Sequence, residues 1–250
     1  MRKSLTAAAI AFAALIGTVA SAAPTSAAPS ADASKVYVVH GLPLDTSGTK
    51  VDVYAGAAGA DPSAAGLIAD NFTYKTVAGP LSLEPASYTV YVAKPTASDD
   101  GKLSADEVIF SKTLDVPAGQ NLSAVASFDA DGAPTINVFN NDVSQVPSEG
   151  GRLSIRHAAA APAVDVDLGY LPWSRQFSFF VRRYGPATNG QQADVTTAAG
   201  KYDVVVRVAE SGARVSAVPR FPVAAGKLTA VYAVGIPGST FGYVVQQIAL

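Results

Sequence analysis

The stretches VYVVH at 36–40 and VDV at 51–53 decide the fold, because both return later in the chain. They match LSIRH at 153–157 and VDV at 164–166. Two further pairs of blocks follow in the same order, namely 85–92 with 199–206 and 116–125 with 223–231. Three blocks that recur in one order predict two homologous repeats.

Each repeat has the sequence pattern of a β-sandwich. Short runs of β-branched and aromatic residues are bounded by Gly, Pro, Asp or Asn, which is typical of strands. The clearest runs are 36–39, 88–92, 108–114, 202–208 and 231–236. We therefore predict an all-β fold with two tandem antiparallel, immunoglobulin-like β-sandwiches.

The N-terminus predicts export. Arg2 and Lys3 precede an apolar stretch at 5–19, and small residues at 20–22 form an A-x-A cleavage site. This order is typical of a secretory signal peptide, here 1–22. No later stretch reaches the roughly 18 apolar residues of a transmembrane helix. We expect a secreted protein, either extracellular or associated with the cell surface.

The predicted organisation after the signal peptide has four parts. An Ala/Pro/Ser-rich leader at 23–34 lacks the apolar residues needed for a core. Pro147 and paired glycines then mark a boundary. We expect repeat 1 at 35–147, a linker at 148–151 and repeat 2 at 152–250.

The opening motif of repeat 2 resembles a known family. The sequence IRHAAAAPAVDVDLG at 155–169 is similar to the VRVVHASPDAPAVDVYVDG motif of the bacterial domain-of-unknown-function 4397 family. Repeat 1 matches less closely, because 41–50 places extra residues between the histidine and VDV. The resemblance implies secreted or surface-exposed β-sandwich repeats and implies no established activity.

Composition excludes several kinds of catalytic site. The chain has no cysteine and only two histidines, which excludes thiol catalysis, zinc–thiolate sites and three-histidine metal sites. The G-x-S-x-G and H-E-x-x-H motifs are missing, and no S-x-x-K occurs together with its partner motifs. We therefore predict a protein that is not an enzyme and needs no cofactor.

The repeated histidines and aspartates are the first candidate ligand-binding residues. His40 and His157 each end a predicted first strand, and Asp52 and Asp165 each follow within VDV. An adjacent carboxylate could orient the imidazole for proton transfer. The alternative is that each histidine bonds a backbone carbonyl while each aspartate faces solvent between two inward valines.

A second candidate group lies in repeat 2. Tyr170 and Trp173 could stack on sugar rings, and Arg182 and Arg183 could hold anionic groups. Part of this aromatic cluster is also expected in the core, because the residues alternate.

A calcium site is the third candidate. Residues 98–107 resemble the end of an EF-hand loop, with Asp100 as a ligand and Glu107 at the bidentate position. The flanking residues are typical of strands rather than helices, and a solvated hairpin explains the same sequence.

Charge distinguishes the two repeats. Residues 23–150 hold six lysines against 15 acids, a net charge of −9, whereas residues 151–250 hold ten basic residues against five acids, a net charge of +5. We therefore expect a non-catalytic envelope-binding or extracellular interaction module. Its possible partners are anionic envelope polymers, glycans or another surface protein, and nucleic acid is not expected. Two alternatives stay open: an exported hydrolase that uses His157 with a nearby acid, and a self-assembling surface scaffold.

Overall fold

The computed structural model describes residues 30, 32–44, 50–95, 102–171 and 179–250. The predicted signal peptide and most of the leader lie outside this part of the chain. Sixteen strands and one short 3-10 helix, Pro62–Ala64, make up the regular structure of the described residues. The strands are β1 Ser34–His40, β2 Lys50–Ala57, β3 Gly66–Thr73, β4 Val77–Leu83, β5 Ala86–Ala93, β6 Val108–Val116, β7 Asn121–Phe128, β8 Pro134–Asn140, β9 Gly150–Ala159, β10 Val164–Leu171, β11 Phe179–Ala187, β12 Gln192–Ala198, β13 Gly200–Val208, β14 Arg214–Val223, β15 Lys227–Gly235 and β16 Gly242–Ala249.

The strands form four sheets with a repeated topology. Strands β1–β8 form the sheets β4-β1-β7-β8 and β3-β2-β5-β6, and strands β9–β16 form β12-β9-β15-β16 and β11-β10-β13-β14. Adding eight to each number of the first pair gives the second pair. The predicted all-β fold of two tandem sandwiches is confirmed. The residue boundaries given above for the domains stay a prediction.

One strand pair in each repeat is parallel. Strand β1 runs parallel to β7, and β9 runs parallel to β15, while the other strand pairs among the described residues are antiparallel. His40 pairs with Ala126 in the first case, and His157 pairs with Ala233 in the second. The two histidines therefore occupy equivalent positions, as the sequence repeat predicts.

Each sandwich has its own apolar core between its two sheets. In repeat 1, Val38, Val51, Val53 and Val92 belong to this core. In repeat 2 the corresponding residues include Leu153, Val166, Val204 and Val206. The inward valines of both VDV segments thus pack as period-2 alternation requires.

The two repeats also pack directly against each other. Phe139 and Val125 of repeat 1 form one buried cluster with Tyr232, Val234 and Val244 of repeat 2. The interface places the outer face of the β1 sheet on the outer face of the β9 sheet. Gly41 shows how close the approach is, because a Cβ there would lie 2.6 Å from Val234 Cγ1.

A buried arginine crosses this interface. Arg156 is fully buried and donates to the Tyr232 hydroxyl at 2.6 Å and to the backbone carbonyl oxygen of Asn140 in repeat 1 at 3.0 Å. Its guanidinium also lies over the rings of Phe139 and Tyr232, 5.4 and 5.0 Å from their centroids. Burial lowers the pKa of Arg156, and the neighbouring Tyr232 and Asp194 oppose that shift.

Within the described residues, we find no helix with the length and hydrophobicity needed to cross a bilayer.

Candidate functional site

Part of the outer face of the β2 sheet in repeat 1 is covered by other residues of the chain. Tyr54 and Tyr91 point away from the sandwich core but are buried, together with Ala65 and Leu103, in a separate apolar cluster. Ala65 follows the short helix between β2 and β3, and Leu103 lies in the long connection 94–107 between β5 and β6. Ala65 and Leu103 thus cover Tyr54 and Tyr91, whereas Ser111 and Thr113 on the same outer face are exposed.

The equivalent face of repeat 2 carries charge. Tyr54 pairs with Tyr91 across β2 and β5. In repeat 2 the equivalent pair across β10 and β13 is Asp167 with Val205, so Asp167 takes the place of Tyr54. The same register matches Ala93 to Arg207. The β13–β14 connection is only 209–213, in contrast to 94–107 in repeat 1. Two positions that are apolar and buried in repeat 1 are therefore charged in repeat 2, with a much shorter connection beside them.

Two arginines share one carboxylate on this face. Arg183 donates from Nε to Asp167 Oδ1 at 2.6 Å and from Nη2 to Oδ2 at 3.0 Å. Arg207 Nε reaches Oδ2 at 3.0 Å, and its Nη1 donates to the Gly212 carbonyl oxygen at 3.2 Å. The hydrogen bond from Arg183 lowers the pKa of Asp167, with a further contribution from Arg207. The carboxylate thus stays ionised and fixes both guanidinium groups.

Arg183 has N–H donors that Asp167 does not use. A guanidinium has five N–H groups, and Arg183 uses two of them on Asp167. Its side chain is 52% exposed, so the remaining donors are accessible to a partner. The exposed Arg214 pairs with Arg207 across β13 and β14, which adds a third cation. We call Asp165, Asp167, Arg183, Arg207 and Arg214 the arginine face.

Asp165 lies at the edge of the arginine face. It is half-buried and contributes electrostatically to the raised pKa of Arg183, whose main cause is Asp167. Gly185 has a φ of +133° and approaches so closely that a Cβ would lie 2.5 Å from Asp165 Oδ1. Arg182 is exposed on β11 and its guanidinium lies 5.5 Å from the centroid of the Tyr184 ring.

His40 and Asp52 have different hydrogen-bond partners. His40 is fully buried, and its Nδ1 accepts from the backbone N–H of Leu42 at 3.3 Å. Its ring packs near Phe72 and Tyr74, with centroids 5.7 and 5.9 Å away. Asp52 is 2% exposed, and its Oδ1 accepts from the N–H of Asn71 at 2.8 Å. Asn71 has a φ of 48°, so the aspartate holds a left-handed residue in place.

His157 and Asp165 face different sides of repeat 2. His157 lines the space between the two sheets, and its Nε2 bonds the carbonyl oxygen of Pro162 at 3.1 Å. Asp165 alternates with the inward Val164 and Val166 and therefore points to the outer face. Burial lowers the pKa of His157. The structure does not bring these two residues together as an acid–base pair.

Several predicted site residues lie outside the described part of the chain. Trp173 and Asp100 are among them, and for Tyr170 only the backbone in β10 is described. Glu107 is described, and its Oε2 accepts from the N–H of Ser104 at 3.0 Å. Within the described ranges no group of three or more His, Asp or Glu residues could hold a metal ion. The calcium site stays a prediction.

The sequence analysis missed three residues of the arginine face, namely Asp167, Arg207 and Arg214. The signal for two of them was present in the repeat itself. Aligning VDVY with VDVD places Asp167 opposite a tyrosine, and aligning VYVA with VVVR places Arg207 opposite an alanine. Both changes convert an apolar outward position to a charged one. Arg214 required the β13–β14 pairing.

Comparison with known proteins gives a family match. Residues 34–167 match the model of the "Domain of unknown function (DUF4397)", a range that includes β1–β9 and the start of β10. No curated protein matches the sequence.

Solved structures similar to the chain include three proteins from bacteria. The fimbrial anchor protein Mfa2 from Porphyromonas gingivalis has a TM-score of 0.28 and 10% identity, with 87% of this chain and 98% of that chain covered. The TIE protein of Bacillus anthracis has a TM-score of 0.25 and 12% identity, with 81% and 34% covered. CBMbc, of family CBM26, from Eubacterium rectale Amy13K has a TM-score of 0.24 and 10% identity, with 86% and 98% covered.

Proposed function

This chain belongs to the DUF4397 family, and because that family is defined by a domain of unknown function, we propose a function from the surface of the molecule. In this proposal the protein is an extracellular, non-catalytic binding module of the cell envelope. Repeat 2 makes the contact, and the partner is an anionic envelope polymer that carries phosphate or carboxylate groups.

The arginine face is the observation that carries this proposal. Asp167 orients Arg183 and Arg207 and leaves donors of Arg183 exposed. Planar guanidinium groups bind phosphate and carboxylate in a bidentate manner. Because the side chains are already fixed, binding would order few additional rotamers, and that lowers its entropic cost.

The charge of repeat 2 supports the same partner. The net charge of +5 on residues 151–250 attracts a polyanion beyond the range of direct contact, while the net charge of −9 on residues 23–150 repels it. In repeat 1 the position equivalent to Asp167 holds the buried Tyr54, which packs with Ala65 and Leu103. The predicted signal peptide at 1–22 supports a location outside the cytoplasm.

Binding to poly(glycerol phosphate) tests the proposal. We expect calorimetry to detect binding by the mature protein at low salt and a strong loss of affinity as salt rises. The double variant Arg183→Gln/Arg214→Gln should weaken binding by about tenfold, equivalent to ~1.4 kcal/mol. Lys227→Gln removes the same kind of charge from the opposite sheet of repeat 2 and serves as the control.

The outcomes separate the partner classes. If the double variant and Lys227→Gln bind alike, the arginine face is not the contact surface. If a neutral glucan binds as tightly as poly(glycerol phosphate), the partner is a glycan and not an anionic polymer. A mass that rises with protein concentration and collapses in salt, without polymer binding, would favour the self-assembling scaffold instead.

A further inference from the structure

A cavity of about 80 Å³ lies between the two sheets of repeat 2. Its wall is almost entirely apolar and includes Ile155, Val231, Ala233 and Val245. Val245 is 49% exposed although it belongs to this wall, so the cavity opens to solvent beside β16. A small molecule can therefore reach the interior without unfolding the sandwich.

The one imidazole in this wall has an unused nitrogen. His157 is 4% exposed, and its Nε2 lies 3.1 Å from the carbonyl oxygen of Pro162. A carbonyl oxygen only accepts, so Nε2 carries the proton and Nδ1 is an acceptor in the neutral ring. Nδ1 is buried and has no hydrogen-bond partner among the described residues. Burial lowers the pKa of His157, which keeps the ring neutral.

Repeat 1 provides an internal comparison. Its equivalent cavity is about 40 Å³, and the Nδ1 of His40 is already occupied by the N–H of Leu42. Strand β1 ends at His40, whereas β9 continues to Ala159 and pairs there with β15. The residues after His157 therefore take part in strand pairing, whereas the N–H of Leu42 bonds the His40 ring. Only repeat 2 combines the larger cavity with an unsatisfied acceptor.

We propose that this cavity is a binding site for a small apolar molecule that carries a hydroxyl or N–H donor. The donor bonds His157 Nδ1, and the apolar body contacts Ile155, Ala233 and Val245. The volume is about half that of the ~150 Å³ engineered cavity that admits benzene. The donor end of a ring therefore enters the cavity, and the far edge lies at the opening beside Val245. This site lies between the sheets and is separate from the arginine face.

Fluorine NMR with two matched probes tests the site in the mature protein. The probe 4-fluorophenol has a hydroxyl where 4-fluorotoluene has a methyl group of similar size. We expect 4-fluorophenol to bind about three- to tenfold more tightly, because only its hydroxyl satisfies Nδ1. Equal affinities, or no binding of 4-fluorophenol, would overturn the proposal.

Three variants locate the probe. Val245→Trp should block the opening and abolish binding, while Val138→Trp, at the equivalent exposed position of repeat 1, should leave binding unchanged. Binding that survives Val245→Trp would overturn the proposal. His157→Phe should remove the preference for 4-fluorophenol. If that variant fails to fold, the Val245→Trp and Val138→Trp pair still decides the outcome, because both substitutions are at exposed positions.

Discussion

Asp167 is the residue that organises the arginine face. It is 14% exposed at the side chain and receives two bonds from Arg183 and one from Arg207. Because these bonds favour the ionised form, the pKa of Asp167 is lower in the folded protein than in the unfolded chain. Its contribution to stability is therefore present above the unfolded pKa and is lost as pH falls through the folded pKa.

The Asp167→Asn variant tests this linkage. We expect the free energy of unfolding to fall by about 1 kcal/mol at pH 7, since both arginines are partly exposed. The difference in unfolding free energy between this variant and the wild type should shrink below pH ~4, where the aspartate of the unfolded chain becomes protonated. Urea denaturation at pH 7, 5 and 3 measures it, with the exposed Asp106→Asn as a control. A difference that stays constant with pH would contradict the assigned role.

Sequence reasoning at the residue scale found candidates but not their surroundings. It identified His157 and Asp165 as neighbours in sequence, and alternation along β10 correctly predicts that Asp165 points outward. The alternative interpretation placed Asp52 in solvent as well, whereas Asp52 is buried. Asp52 is held by Asn71 of β3, whose backbone N–H donates to Asp52 Oδ1 at 2.8 Å. Contacts between segments this far apart are not encoded in local periodicity.

At the scale of elements, a tyrosine fixes the entry to the fifth strand of each repeat. Tyr88 donates to the Glu84 carbonyl oxygen at 2.9 Å, and Tyr202 donates to the Ala198 carbonyl oxygen at 2.8 Å. Both bonds return to a residue four positions earlier, as in the tyrosine corner of immunoglobulin-like sandwiches. Each of the matching blocks 85–92 and 199–206 contains this tyrosine.

The two tyrosines should differ in their effect on stability. Tyr202 is 1% exposed and packs in the core of repeat 2, whereas Tyr88 is half-buried. We expect Tyr202→Phe to lower the free energy of unfolding by about 1–2 kcal/mol, because its hydroxyl loses part-buried hydrogen bonds to both the Ala198 carbonyl oxygen and the Thr197 hydroxyl. Tyr88→Phe should cost less, since water can replace its hydroxyl. Chemical denaturation of both variants tests this, and an equal or reversed order would contradict it.

Local patterns predicted the inner strands better than the edges of the sheets. The predicted runs at 88–92 and 202–208 lie within β5 and β13, and alternation within them places the core valines correctly. Strand β2 does not alternate, because both of its faces are buried. The parallel pairing of β1 with β7 joins segments about 85 residues apart, which single-strand patterns cannot specify.

For the whole molecule, the interface between the repeats determines how the chain unfolds. Arg156 contributes hydrogen bonds on both sides of it, and Phe139, Tyr232 and Val234 bury apolar area. We expect one calorimetric transition for the mature protein. Arg156→Met should lower the free energy of unfolding by about 2–4 kcal/mol, because the Tyr232 hydroxyl and the Asn140 carbonyl oxygen lose a buried partner.

The same variant should also weaken the coupling of the repeats. Arg156→Met is expected to broaden or divide the calorimetric transition, while Arg214→Met, at an exposed position, should leave one transition. Two separate transitions in the wild-type protein would contradict the proposed coupling, and so would an Arg156→Met variant as stable as the wild type.

On equivalent sheets, repeat 1 has a buried tyrosine pair where repeat 2 has the arginine face. The central claim is that the arginine face binds an anionic envelope polymer. NMR chemical-shift mapping of the mature protein during titration with poly(glycerol phosphate) tests it most directly. The account predicts shifts concentrated at Asp167, Arg183, Arg207 and Arg214, with repeat 1 unchanged. Shifts confined to repeat 1, or no shifts at low salt, would contradict it.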